Sequence, residues 1–479
     1  MKTLRRVYIV IQVILLIGIL GGTSVQAAGI DARVTQELAT TGQAKVIIAL
    51  NVPDSTPNRL RMSRTAVSRD PIGDTQETVL NDLPTGSYEL TYQYSHVPGL
   101  AMTVTPQSFE ILKAHPQVKY IQFDELEHIA LAQAVPLIKA NQVHSGSPAY
   151  DGSGVTVAVL DSGINTAHHD FVGRIQVEQC FLSTPSTCPS LPNVAEDGNG
   201  HGSHVSGIVA ANGTNKGVAP GAKIAAVKVC NNSGGCQVSD SINGLNWVIA
   251  NYAAHSIKVV NMSIASKTLY SDSCDVEDAA RKAAVDSLVN AGITVFVAAG
   301  NAGNIPDGKS KIAAPACLSN TIAVGATYDA TYNPTSLVCS KIVTNADTVA
   351  CFSNSNLWLD ILAPGSEITS SWIGTTTATQ IEAGTSMATP MASGVAALML
   401  QKNPLLTPAQ IKAKLKKTGV NVTDTNGITR PRIDALAAVN DAGTTAQPIL
   451  EVSIGSKKLL DQVKLILAIR QSMMQLLKQ

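Results

Sequence analysis

Val155-Thr-Val-Ala-Val-Leu160 is a six-residue run of small and β-branched side chains, and Asp161-Ser-Gly follows it at once. Six residues suit a strand, and a run that does not alternate with polar residues suits one covered on both faces. Four more runs of this kind follow: Lys223-Ile-Ala-Ala-Val-Lys-Val229, Val259-Val-Asn-Met-Ser-Ile264, Thr294-Val-Phe-Val-Ala-Ala299 and Thr321-Ile-Ala-Val-Gly-Ala326. Helical segments separate them. Residues 132 to about 440 therefore read as an α/β domain built on a mainly parallel sheet. Sites in such domains gather beyond the carboxyl ends of the strands.

Three motifs occupy such positions. Asp161 ends the first run. Asn199-Gly-His201-Gly-Ser-His-Val-Ser-Gly207 is a histidine in a glycine-rich turn that leads into an apolar helix. Gly384-Thr-Ser386-Met-Ala-Thr-Pro390 brings a serine to the start of a long helix carrying Val395, Leu398 and Met399. An acid at a strand end is often only a helix cap, and a histidine between glycines is often structural. Together, in the order Asp, His, Ser and separated by 40 and 185 residues, they make a serine-protease pattern. A serine hydroxyl needs a base to take its proton, and the base needs a carboxylate to fix its tautomer. The chain has no Gly-x-Ser-x-Gly elbow and no His-Glu-x-x-His, which argues against an α/β-hydrolase and a zinc protease.

With these motifs the chain resembles the subtilisin-like serine proteases, the subtilases. Further matches are Ala132-Gln133-Ala-Val-Pro, Gly217-Val-Ala-Pro220, Ile242-Asn-Gly-Leu-Asn-Trp247, Ala299-Gly-Asn301 and Leu362-Ala-Pro-Gly365. The resemblance implies a three-layer catalytic domain over 132–442 and a secreted endopeptidase that works through an acyl-enzyme. It implies Ser386 as nucleophile, His201 as base, Asp161 as its orienter and the Asn301 side chain as oxyanion donor. His204 is the rival histidine, and in the resembling motif it is a structural helix residue. Peptide substrates would add to strand edges at Ser233-Gly234-Gly235 and Ser263-Ile264-Ala265. Ala265 stands where the family pattern usually has glycine. The specificity pocket expected between 263–265, 298–301 and Ala313 carries no charge, with Asp307, Lys309 and Lys311 in the adjacent loop. An inactive scaffold that only binds peptides and an acyl-enzyme transpeptidase are the alternative readings. The full set of catalytic residue types argues against the first, and nothing favours the second.

No cofactor is required for this chemistry. Gln133 and Asp170 match two ligand positions of a common subtilase calcium site, but the loop 212–216 is short and Lys216 puts a cation there, so no metal is assigned. Residues 28–131 contain strand-like stretches at 45–50, 88–94 and 119–124, a helical start at Pro106 and a loop-like stretch over 51–86. This small α+β module resembles an inhibitor-type propeptide, which would block the cleft and be cut near Leu131/Ala132.

The ends and the composition bound the rest. Lys2, Arg5 and Arg6 precede an apolar run from Val7 to Leu20 and then small residues, so 1–27 reads as a secretory signal rather than a membrane anchor. In 443–479, apolar residues at helical spacing predict an amphipathic helix in a C-terminal tail. Lys+Arg and Asp+Glu are 35 each, which leaves no net field for nucleic acid. A soluble monomer is expected after signal cleavage. With a signal peptide, the eight cysteines read as disulfides. Eight permit about 105 pairings. Sequence neighbours would give Cys180–Cys188, Cys230–Cys236, Cys274–Cys317 and Cys339–Cys351.

Overall fold

A computed structural model describes residues 28–52, 70–124, 126–128, 135–183, 188, 194–213, 216–331 and 344–443. The proposed signal segment, Gln133, Cys339 and the predicted C-terminal helix lie outside the described residues.

The apolar runs form the centre of a nine-stranded sheet. Its order is Val420–Thr423, Thr429–Arg432, Ile361–Pro364, Ile322–Thr327, Thr294–Ala298, Ile257–Met262, Thr156–Asp161, Lys223–Lys228 and Ile175–Cys180. All neighbours are parallel except the first pair. The side-chain alternation of a strand explains why these runs show no polar phase. Val157 and Val159 face one core, with the helices His201–Ala210 and Thr385–Lys402. Ala158 and Leu160 face a second core, with Val238–Asn251 and Ala279–Asn290. Helices cover both faces, so the expected three-layer α/β architecture is present.

The segment 28–123 folds as an α+β sheet in the order Gly29–Ile30, Val118–Phe123, Ala44–Leu50, Gly99–Val104 and Tyr88–Gln93. The same period-2 logic splits its central strand. Val46, Ile48 and Leu50 point into the unit's own core with Val34, Phe109 and Leu112. Ile47 and Ala49 point the other way and join the core that contains Val285 and Leu288 of the larger unit. The loop expected over 51–86 contains a helix at Pro71–Asn81, which corrects that reading; 53–69 are outside the described residues. Asp70 accepts the Ile72 N–H at 3.1 Å and proline takes the first turn, so residues that resemble turn chemistry are a helix start.

Three expected disulfides are present: Cys180–Cys188, Cys230–Cys236 and Cys274–Cys317. The fourth pairing involves Cys339 and so lies outside the described residues. No helix among the described residues is long and apolar enough to cross a membrane.

Candidate active site

Asp161 closes its strand, and its carboxylate is fully buried. The turn that follows has to be thin. Gly163 has φ 114°, and a Cβ on Gly202 would lie 2.1 Å from the Gly163 carbonyl oxygen. Glycine at both places lets the His201–Ala210 helix start against the turn. His201 is the first residue of that helix, and its Nδ1 lies 2.7 Å from Asp161 Oδ1. The Ser162 N–H donates to the same oxygen at 2.7 Å, and both ring and carboxylate are shut off from water. A carboxylate accepts, so Nδ1 donates and Nε2 is the basic nitrogen.

A second buried carboxylate braces this pair. Asp197 Oδ1 accepts the Ser162 hydroxyl and the Asn199 and Gly200 amides, each at 2.9 Å. Its Oδ2 accepts the Ser203 amide at 2.9 Å and hydroxyl at 2.7 Å. Burial alone would raise its pKa, but the Gly200, Asn199 and Ser203 donors hold it below the usual carboxylate range. Asp197 thus ties the residue after Asp161 to the turn before His201.

Ser386 is the second residue of the Thr385–Lys402 helix and is buried. Its hydroxyl donates to the Ser263 carbonyl at 3.1 Å, and the Ser263 hydroxyl returns a bond to the Ser386 carbonyl at 2.5 Å. The second bond has a local cause. Pro390 has no N–H, so the Ser386 carbonyl four residues earlier lacks its helical partner, and Ser263 supplies one. Asn261 Nδ2 donates to the Ser263 hydroxyl at 3.0 Å and its Oδ1 accepts from Ser393 at 2.9 Å. Ser386 sits at a helix N-terminus, where the positive end of the dipole favours a developing anion.

Asn301 lies just past the Thr294–Ala298 strand. Its Oδ1 accepts the Thr385 amide at 2.8 Å and the Thr385 hydroxyl at 3.1 Å. With the oxygen held there, the Nδ2 donors turn away from Thr385. His204 is buried with Nε2 between the carbonyls of Ile368 and Gln380, at 3.2 and 3.1 Å. Burial pushes its pKa down to about 3, helped by the nearby His201, so it is neutral at working pH and engaged structurally.

Both expected substrate edges border this centre. Ser233 and Gly234 form a turn in which Asn231 Oδ1 accepts the Ser233 and Gly235 amides at 2.9 and 3.0 Å. Gly235 then opens a short strand, Gly235–Gln237, that pairs antiparallel with Leu126–His128. Ser263 touches Ser386 as described, Ile264 is buried and Ala265 is half-buried. The lysines of the adjacent loop are drawn off. Lys311 pairs with Asp307 at 2.9 Å, and Lys309 pairs with Asp424 at 3.0 Å. Ala298, Ala299 and Ala313 are buried, so the expected pocket wall stays uncharged.

Asp170 offers its Oδ2 to the Ser371 hydroxyl at 2.7 Å, and no group of three or more His, Cys, Asp or Glu among the described residues could hold a metal ion. Residues the sequence reading did not single out are Asp197, Thr385, Asn261 and Lys228. Lys228 had one visible signal, a lysine inside a run covered on both faces.

Residues 152–438 match the model of the Peptidase_S8 subtilase family. The chain belongs to the subtilase family. Among its curated relatives, Subtilisin E of Bacillus subtilis (strain 168) is 37% identical over 333 residues, 68% of this chain and 76% of the relative. M-protease of Shouchella clausii (strain KSM-K16) is 36% identical over 345 residues, 71% of this chain and 78% of the relative. The subtilisin of Bacillus pumilus is 38% identical over 294 residues, 60% of this chain and 92% of the relative. This subtilase is a serine endopeptidase, a hydrolase that acts on proteins or peptides.

Proposed function

We propose that this subtilase is a secreted endopeptidase made as a self-processing zymogen, with Asp161, His201 and Ser386 as its triad. The observation that carries the reading is the 2.7 Å contact between His201 Nδ1 and Asp161 Oδ1 in a site closed to water. It leaves Nε2 as the base, so His201 takes the Ser386 proton as the hydroxyl oxygen attacks the peptide carbonyl. The carbonyl becomes an oxyanion, stabilised by the Ser386 N–H and Asn301 Nδ2. His201 then protonates the leaving amine, and an acyl-enzyme on Ser386 remains. Water, deprotonated by the same nitrogen, releases the acid and restores the serine. Substrate lies as an added strand against 233–235 and 263–265.

In this reading, residues 1–27 are the signal peptide, 28–131 an inhibitor-type propeptide, 132–442 the catalytic domain and 443–479 a tail. Support comes from Leu126–His128, which adds to the Gly235–Gln237 edge as a substrate strand would. A cut near Leu131/Ala132 follows shortly after that strand. The test compares wild type with Ser386→Ala by intact mass and casein digestion after export. The wild type should shorten by the propeptide and digest casein, and the variant should do neither. A Ser386→Ala chain that still digests casein would overturn the assignment.

A further inference from the structure

Lys228 ends its strand beside Asp161 in the parallel register and is fully buried. An ammonium taken out of water is costly unless every proton has a partner nearby. Its Nζ donates to the Ser162 carbonyl and, at 3.1 Å, to Asn232 Oδ1. Burial pushes its pKa down, while the charges of Asp197, Asp161 and Glu196 oppose that fall. The steps proposed above make no use of it.

Its two acceptors belong to different parts of the machinery. Ser162 follows Asp161, and its N–H donates to the Asp161 carboxylate. Asn232 stands one residue before the Ser233-Gly234-Gly235 edge. The Asn232 carbonyl accepts from Asn199 Nδ2 at 3.2 Å, two residues ahead of His201. The Asn232 side chain also packs on Gly198, where an added Cβ would lie 2.3 Å from it. The turn after Asp161, the turn before His201 and the loop leading to the substrate edge therefore meet around one buried cation. Both donors to the Asp161 carboxylate lie on Oδ1, and Oδ2 is buried with no hydrogen-bond partner among the described residues, so that oxygen meets positive charge only through space.

We propose that Lys228 is a positioning residue that ties the Asp161 turn to the substrate edge and supplies the positive charge against which the Asp161–His201 pair works. The proposal rests on the triad reading. Among the described residues, the charges of Asp197, Asp161 and Glu196 act on Lys228, and His201 is coupled to His204 and Glu382 as well as to Asp161. His204 is neutral in the working range, so Lys228 is the cation among them. A positive charge disfavours the imidazolium, and its removal favours it.

The test is the pH profile of kcat/KM on a chromogenic peptide for the matured enzyme. Lys228→Met should move the acid limb to higher pH by about half to one unit, whereas Lys228→Arg keeps the limb in place. The shift should survive in about 1 M KCl, because a buried charge is screened far less than an exposed one. A Lys228→Met enzyme with the wild-type acid limb overturns the proposal. Should Lys228→Met fail to accumulate, Asn232→Ala decides alone. It keeps the ammonium but cuts the tie to the edge, so KM should rise about threefold or more with the acid limb unmoved. A wild-type KM overturns the proposal. Loss of the triad reading gives a different result, an active Ser386→Ala chain.

Discussion

The catalytic centre and the surface covered by residues 28–128 both bury carboxylates, and they do so in opposite ways. At the centre, Asp197 collects five donors, all from the catalytic unit. At the covered surface, Asp124 and Asp240 are both raised by burial, and the charge of Asp124 adds to the rise of Asp240. Asp124 accepts the Ser239 amide at 2.9 Å and hydroxyl at 2.6 Å. It stands in for the cap that Gln237 does not supply at the head of the Val238–Asn251 helix. Asp240 accepts the Tyr92 hydroxyl at 2.9 Å and the Ser183 amide at 3.0 Å. Burial pushes Asp240 up to about 7 in spite of those donors, and Asp124 adds to the rise. Donors drawn from one unit make a permanent site. Donors drawn from two units, with two acids close together, make a contact that the proposed maturation would give up.

The largest effects belong to the permanent side. Asp161→Asn should lower kcat by about 10⁴-fold, because an amide in that place can present N–H to His201 and select the wrong tautomer. The chain should then also keep its N-terminal unit, read as an unshortened intact mass. An Asp161→Asn enzyme within tenfold of wild type would remove Asp161 from the triad. Asn301→Leu should cost about 10²–10³ in kcat with KM nearly constant, a magnitude measured for the oxyanion asparagine of subtilisin itself. A rise in KM alone would mean that Asn301 binds ground-state substrate and does not hold the oxyanion.

The removable side predicts a pH dependence of smaller size. When uncovered, Asp240 should titrate in the ordinary carboxylate range, near ~3.9. When covered by Tyr92 and Asp124, with Lys45 and Ser183 alongside, it holds its proton up to about 7. The covered state therefore binds the proton more tightly. It is favoured fully below the ordinary carboxylate pKa, weakens as pH climbs to about 7, and changes no further through this group above that. In a Ser386→Ala chain, exchange protection of the Gly235–Gln237 amides, corrected for intrinsic rates, should fall by up to about tenfold per pH unit across that window. Asp240→Asn should flatten the dependence. Equal slopes in the two chains would show that the contact is released by something else.

What the sequence made legible follows the same division. Runs such as Val155–Leu160 were readable because a strand covered on both faces must be apolar throughout. The Ile175–Cys180 strand was not, since it is the sheet edge and sets an exposed Gln176 and a half-buried Glu178 between apolar residues. The residue types and order of Asp161, His201 and Ser386 carried the serine-protease reading. Their supports did not show, because each acts across a long separation. Asp197 reaches Ser162, 35 residues away, and Thr385 reaches Asn301, 84 residues away. Asp124 and Asp240 were hidden for a further reason: their meaning depends on two units being in contact, which no local pattern encodes.

The disulfide Cys230–Cys236 is where the two sides meet, and it carries the smallest effect. It closes the loop whose outer strand, Gly235–Gln237, receives Leu126–His128. Cys236 lies opposite Glu127 in that pairing, so the bond sits directly behind the accepting backbone. A loop held closed loses less freedom when a strand is added to it. Cys230→Ala with Cys236→Ala should therefore raise peptide KM severalfold and leave kcat nearly unchanged, since Ser386, His201 and Asp161 have their own supports. The same variant should loosen the hold on residues 126–128, so protection of the Gly235–Gln237 amides in a Ser386→Ala background should fall in parallel. Unchanged KM, with protection also unchanged, would make the bond a staple of the loop alone. A fall in kcat without a change in KM would place the disulfide on the permanent side of the comparison, as a brace that reaches Asp161 through the Cys230 N–H, which donates to the Asp161 carbonyl at 3.1 Å.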